Sequence, residues 1–274
     1  MKKLFAFVLT LVIAASVLGF GFAATGCDDG KTITVGASVT PHALILNQLK
    51  TKIEEKGFRL VVREFNDYIL PNTALQNGDI NANFFQHVPY LNEFNSKNGT
   101  ALVPIANVHY EPLGIYAGKT ATLDALTEGT KIGIPNDSSN GARALRLLER
   151  ERLITFDAAA GASVSKLDIL DNPFNVDIVE IEAAQLPAQL PDLAIAVING
   201  NYALGAGLKT AITVENADVA ANYVNVIAVK AGNETSAKTN ALIEALLEAD
   251  LATYVAQEFG APVVLSLKDL RIGI

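Results

Sequence analysis

The run Asn81 to Leu91, NANFFQHVPYL, sets two phenylalanines, a glutamine, a histidine and a tyrosine around Pro89. Rings interleaved with polar tips suit the wall of a small-molecule site, where the rings give contact area and the tips fix orientation. The same residues also suit a core strand ending in an irregular turn, with His87 an ordinary half-buried histidine. Arg143 stands near the start of a helical pattern, where an anion would meet free backbone N–H groups and a guanidinium fork together. Asn199-Gly200-Asn201 follows the apolar run Leu193 to Ile198, at the carboxyl end of an expected strand, where open α/β sheets place ligands. Asn72, Asn136 and Asn140 hold comparable loop or helix-start positions, which turn chemistry and capping also explain.

The three histidines, His42, His87 and His109, all fall in the first half of the chain and could converge with Glu111 on a metal ion. No two of them share a helical face by spacing, so only the fold could assemble them, and separate ring-like roles compete with that reading. Enzyme markers are scarce. Gly114 to Thr120 resembles a phosphate loop but has three residues between its glycines where the motif needs four. The chain has no HExxH, no GxSxG and no GxGxxG between a strand and a helix.

The elements that must position these side chains alternate β-rich and helical runs, which predicts an α/β sheet wrapped by helices. Strands are expected at Ile33 to Val35, Leu60 to Phe65, Ile80 to Asn83, Ala101 to Val103, Leu113 to Tyr116, Lys131 to Ile134, Asp177 to Ile181, Leu193 to Ile198 and Val224 to Val229. Thr40 and Pro41 can open a helix that turns Ile45, Leu49 and Ile53 to one face. Further helices are expected at Asn72 to Asn77, stopped by Gly78, and at Tyr90 to Asn98, stopped by Gly99. Ser138 and Ser139 can cap another to about Arg152, with Leu145 and Leu148 inward. Shorter helical stretches are expected at Ala183 to Leu190 and Asn201 to Leu208. Thr235 to Phe259 is the longest helical pattern. No flexible tether divides the chain, so any lobes must be joined by strands that cross between them.

At 274 residues the chain can bury one large core or two smaller ones. Half of it is apolar, and the mean hydropathy is +0.28. Part of that excess lies at the front, where Lys2 and Lys3 precede an apolar run from Leu4 to Ala23 that has the build of a secretory signal. The run is long enough to span a bilayer, so a retained anchor is the alternative. Ala24-Thr25-Gly26-Cys27 resembles the lipobox of bacterial lipoproteins, in which the cysteine is diacylated and becomes the new N-terminus; Ala24 departs from the usual Leu. Cys27 is the sole cysteine, so no intrachain disulfide can form. Loss of residues 1–26 removes two of 21 basic residues and none of 29 acidic ones, taking the net charge from −8 to −10. That acidic balance speaks against nucleic acid as a partner.

A series of blocks then gives a specific resemblance. Glu64 to Tyr68 (EFNDY), Pro71-Asn72, Ala82 to His87 (ANFFQH), Pro89 to Leu91, Val108-His109 and Glu111 to Gly114 (EPLG) are followed by Ile134 to Asp137, Asn140 to Leu145 (NGARAL), Glu182 to Pro187, Ala196 to Ala203 (AVINGNYA) and Val224 to Val226. Together, and in order from about Thr34 to Ala256, they resemble the NlpA/MetQ family of lipoproteins, the D- or L-methionine-binding components of methionine ABC importers. Asn66 stands where the family more often has Thr, and Ser138 where Pro is common. The stretch after Gly260 matches poorly.

The resemblance implies the class II periplasmic-binding-protein fold, two α/β lobes joined by two crossing strands with the ligand in the cleft and no catalysis or cofactor. The crossings are expected near Leu113 to Tyr116 and Tyr223 to Val229. That gives a signal at 1–26, a lipidated linker at 27–32, a discontinuous first lobe at 33–115 and 225–274, and a second lobe at 116–224. Carried over by position, Tyr68, Phe85, His87 and Tyr90 would wrap a thioether side chain. Arg143 would hold the α-carboxylate, and Asn140, Asn199 and Asn225 would fix the charged end of the amino acid. A thioether gains from aromatic edges, and a zwitterion needs a cation for its carboxylate and acceptors for its ammonium. The partners implied are methionine, an ABC permease with its ATPase, and the membrane through Cys27, with the protein facing the periplasm or exterior. Two alternatives stay open: a receptor for another apolar amino acid or a methionine-containing dipeptide, and a metal-dependent protein using His42, His87 and His109.

Overall fold

Strand β1 (Thr32–Ser38) reads TITVGAS, with Ile33, Val35 and Ala37 buried on one face and Gly36 and Ser38 buried on the other. A strand enclosed on both faces belongs at the centre of a parallel sheet. In the computed structural model, which describes residues 30–267, β1 lies parallel to β2 (Arg59–Phe65) on one side and β3 (Ala82–His87) on the other. With β4 (Leu102–Tyr110), β12 (Asn225–Lys230) and β13 (Val264–Leu265) they form a six-stranded sheet in the order β13-β4-β12-β3-β1-β2. β12 runs antiparallel to both β3 and β4.

The second sheet has five strands in the order β11-β5-β10-β6-β9. These are β5 (Gly114–Ala117), β6 (Lys131–Pro135), β9 (Asp177–Ile181), β10 (Ile195–Ile198) and β11 (Thr213–Val214). A small antiparallel pair, β7 (Thr155–Phe156) and β8 (Ile169–Asp171), stands beside it. The chain passes from the first sheet to the second between Tyr110 and Gly114, and returns between Val214 and Asn225. The two passages are hydrogen-bonded to each other, Glu215 N–H donating to Leu113 O over 2.9 Å.

Each sheet has its own core. Ile45, Leu49 and Ile53, which the helical period sets on one face, pack with Ile33, Val35, Phe84, Ile227 and Leu246. Leu145 and Leu148 pack with Ile115, Ile132, Ile134 and Ile195 in the second. Burial of one such Leu or Ile contributes about 1.5–3 kcal/mol, so both layers are strongly held.

Several boundaries differ from expectation. The third strand is Ala82–His87 rather than Ile80 to Asn83, so the aromatic run is itself sheet. A helix Val88–Asn98 follows at once, with Pro89 in its first turn, where the missing N–H costs nothing. The helix Ser138–Arg150 is capped by Asp137, whose carboxylate accepts from Asn140 N–H at 2.8 Å, rather than by either serine. The long pattern from Thr235 divides into Ala237–Glu248 and Leu251–Glu258, because Asp250 caps the second piece through Thr253 N–H at 3.2 Å. Cys27 and the signal-like run lie outside the described residues.

Gly118 ends β5 with its N–H on Ala194 O at 2.9 Å, and a Cβ there would run into the carbonyl oxygens of Leu190 and Leu193. Backbone oxygens cannot swing aside as a side chain can. Gly118→Ala should therefore destabilise the fold by about 1–3 kcal/mol, measured as a lower denaturant midpoint at unchanged slope.

Candidate functional site

Between the two sheets lies a narrow cavity of about 20 Å³. All eight sequence-predicted side chains, Tyr68, Phe85, His87, Tyr90, Asn140, Arg143, Asn199 and Asn225, line it, and Gln86, Glu111, Gly200 and Asn201 complete the wall. The first sheet supplies the aromatic part. Phe84 packs into the core, and Phe85, on the opposite face of β3, meets Tyr68 at 5.8 Å and Tyr90 at 6.1 Å between ring centroids. Tyr68 is stacked against Tyr202 at 4.8 Å, and its hydroxyl donates to Asn201 Oδ1 at 2.6 Å.

His87 belongs to this wall as a neutral ring. Tyr90 N–H donates to its Nδ1 at 3.2 Å, so the proton sits on Nε2, which faces Asn140 Oδ1 at 3.2 Å. Burial, then the charge of Arg143, pushes its pKa down to about 3. With both nitrogens engaged, His87 offers the cavity a ring surface.

The polar part comes from the carboxyl ends of second-sheet strands and from the passages between the sheets. Asn140 is fully committed: its Oδ1 also accepts from Asn199 Nδ2 at 2.8 Å, and its own amide donates to Asp137. Asn199 keeps Oδ1 as a buried acceptor without a partner. Asn225 turns Oδ1 to His42 Nε2 at 3.1 Å, which leaves its amide N–H groups as donors.

Arg143 differs from expectation in two respects. Its fork already holds Glu215, with Nε on Oε1 at 2.7 Å and Nη2 on Oε2 at 2.5 Å, while Nη2 also donates to Glu111 O at 2.9 Å. The start of its helix is no free anion site either, because the half-buried Asp137 carboxylate occupies it. What Arg143 keeps for the cavity is the Nη1 side of a guanidinium stacked 4.2 Å from the Tyr223 ring. Glu215, on the return passage, carries no sequence signal that would have paired it with Arg143. Arg146 and Arg150 on the same helix pair with Glu149 and Glu151 at the half-buried rim.

The histidines assemble only in part. His42 and His109 meet Glu111, the ligand atoms of the three lying within 4.8 Å of one another, and His87 is not in the group. His109 Nε2 is bonded to Glu111 Oε1 at 2.7 Å, while its Nδ1 lacks the acceptor that a metal-ligating histidine is normally given. The three-histidine metal arrangement is therefore not the one the fold makes.

A two-sheet α/β fold crossed twice by the chain, with a cavity of rings, amides and one guanidinium between the sheets, defines a substrate-binding protein rather than an enzyme. Residues 33–265 match the family model described as NlpA lipoprotein, and the chain belongs to that family. It is similar to the membrane lipoprotein TpN32 of Treponema pallidum, 38% identical over 256 residues, 92% of this chain and 95% of that one. The D-methionine-binding lipoprotein MetQ of Escherichia coli K12 is 36% identical over 249 residues, 89% of this chain and 90% of that one. The structure resembles that of a nutrient binding protein from Burkholderia cenocepacia bound to methionine, with a TM-score of 0.80 at 36% identity, covering 85% of this chain and 99% of that one. Among the described residues no helix is long and apolar enough to cross a membrane.

Glu215→Ala leaves the 5% exposed Arg143 charged and uncompensated, which should cost about 3–5 kcal/mol of folding stability. Lys52→Ala breaks an exposed pair with Glu55 and should cost under about 1 kcal/mol. Chemical denaturation of the two variants side by side separates these outcomes.

Proposed function

We propose that the protein captures methionine in the cavity between its sheets and delivers it to an ABC permease and its ATPase. The convergence of all eight expected side chains on one cavity carries this reading, and the methionine-bound relative supports it. The rings of Tyr68, Phe85, His87 and Tyr90 wrap the thioether, which gains from aromatic edges. Arg143 Nη1 and the Asn225 amide donate to the α-carboxylate, and Asn199 Oδ1 accepts from the α-ammonium. Asn140 acts at one remove by orienting Asn199 and His87. We assign residues 33–115 and 225–274 to one lobe and 116–224 to the other, since the sheets exchange the chain close to those limits.

Mass spectrometry of the small molecule released on denaturing the purified protein should detect methionine. Calorimetry should show Tyr68→Ala weakening methionine binding by about 1–3 kcal/mol and Arg143→Lys by more than about tenfold, because one ammonium cannot hold both Glu215 oxygens and also reach the cavity as the guanidinium does. Methionine methyl ester should bind the unmodified protein poorly. Normal binding by both variants would place the ligand elsewhere.

We also propose that Cys27 carries the lipid that holds the protein at the membrane, on the basis of the lone cysteine after small residues at the end of a signal-like run. Cys27→Ser should release the protein from membranes or leave the signal uncleaved. Unmodified Cys27 in mature, membrane-bound protein overturns this.

A further inference from the structure

Glu111 sits on the outgoing passage between the sheets, and its buried carboxylate forms part of the cavity wall. Both sheets hold it in place. His109 Nε2 on β4 lies 2.7 Å from Oε1, and His42 Nε2 lies 3.8 Å from the same oxygen. From the other sheet, Asn201 N–H donates to the carboxylate. Residue 200 has to be glycine for this approach, since a Cβ there would stand 2.6 Å from Glu111 Cβ and 2.8 Å from Oε2.

None of these neighbours is a full counter-charge. The nearest cation, Arg143, spends its fork on Glu215. Burial holds His42 neutral down to about pH 4 and His109 down to about pH 3. A buried carboxylate without a cation is costly, and taking up a proton is the cheapest relief. Burial accordingly pushes Glu111 up to about 7, against the opposing influence of its contacts with His42, Arg143 and Asn201 N–H. Tyr68 and Tyr116, which also face it, are both raised by burial and stay protonated.

We propose that Glu111 is the counter-ion of the ligand's α-ammonium group, and that binding exchanges a proton on Glu111 for that cation. The proposal rests on the amino-acid reading of the site given above. In the exchange the O–H bond of the Glu111 carboxylic acid breaks and its proton passes to the buffer. The ligand keeps all three ammonium protons and donates to the carboxylate and to Asn199 Oδ1, the buried acceptor without a partner. Such a site selects a free amino group, because an N-acylated ligand brings no cation to replace the proton. The pH dependence has a definite sign. Below about pH 7 the ligand must displace a proton, so affinity falls as pH falls, by up to about tenfold per unit, and levels off above it.

Calorimetry of methionine binding to the mature lipidated protein in detergent, at pH 6.5 in phosphate and in Tris, counts the protons released. Release of a measurable fraction of a proton per methionine is expected at that pH, shrinking as the pH is raised to 8. Glu111→Gln should bind at least about thirtyfold more weakly, release no proton, and lose the change in affinity between pH 6 and 8. N-acetylmethionine should bind the unmodified protein far more weakly than methionine, and that gap should narrow in Glu111→Gln. Methionine binding without proton release, or N-acetylmethionine binding as tightly, overturns the role of Glu111 and leaves the amino-acid reading standing. No methionine binding at all overturns both. The proton count on unmodified protein decides the matter even if the variant misfolds.

Discussion

The buried pair between Arg143 and Glu215 holds the two halves of the molecule in register. Arg143 projects from the helix Ser138–Arg150 of the second sheet, and its Nη2 reaches the backbone oxygen of Glu111 on the outgoing passage. Glu215 begins the return passage, and its Oε2 accepts both from Arg143 and, at 2.9 Å, from Leu113 N–H on the outgoing one. One guanidinium therefore fixes both passages to one helix. Burying the two charges costs several kcal/mol each, which the bidentate geometry, the extra N–H donor and the Tyr223 ring offset. An apolar pair of equal volume could match that in stability. It could not fix the direction of a guanidinium edge at the cavity wall, so geometry is what the ion pair contributes.

From that fixed edge the polarity of the cavity follows by hydrogen-bond logic. Tyr90 N–H sets the tautomer of His87, which directs Nε2–H to Asn140 Oδ1; Asp137 takes the Asn140 amide; and Asn199 is left with its oxygen free. On the other side His42 holds Asn225 by its oxygen, so its amide faces the cavity as a donor. Donors and acceptors are thus assigned by neighbours that never touch the ligand. An amino acid presents opposite charges at its two ends, and this wall offers each a partner of the right kind.

What the sequence made legible was composition and local order. The strand expected at Ile80 to Asn83 caught only the start of β3, helical spacing found the inward face of Ile45, Leu49 and Ile53, and Gly78 and Gly99 marked helix ends with their left-handed backbone, φ 83° and 62°. The family blocks carried the eight cavity residues. What stayed hidden depends on partners far apart in sequence. Glu215 lies 72 residues from Arg143, and only the crossing of the chain brings them together. Glu111 was visible as a possible metal ligand beside the histidines, but its place in the cavity wall depends on Gly200 closing on it from the other sheet. The Asp137 cap was missed for a local reason: two serines follow it, and a carboxylate one residue earlier reached Asn140 N–H first.

The contacts between the sheets differ in strength, and that difference bears on how the site opens. Tyr68 to Asn201, Tyr202 to Asn66 and Lys97 to Ser138 each join first-sheet residues to second-sheet residues across the cleft, at 2.6, 3.4 and 3.1 Å. Bonds of this kind contribute about 0.5–1.5 kcal/mol each, because water replaces them when they part. The Arg143–Glu215 tie joins the passages themselves and lies at 5% and 3% exposure, where water is no ready substitute. Parting the cleft would break the exchangeable bonds and spare the tie, which would make the passages the hinge and the rim the latch. On the reading proposed above, a ligand between Arg143 and Asn199 on one side and the rings of β3 on the other would add its own contacts to the latch alone. Its binding free energy can then go into closing the cleft, since the hinge geometry is already set before the ligand arrives.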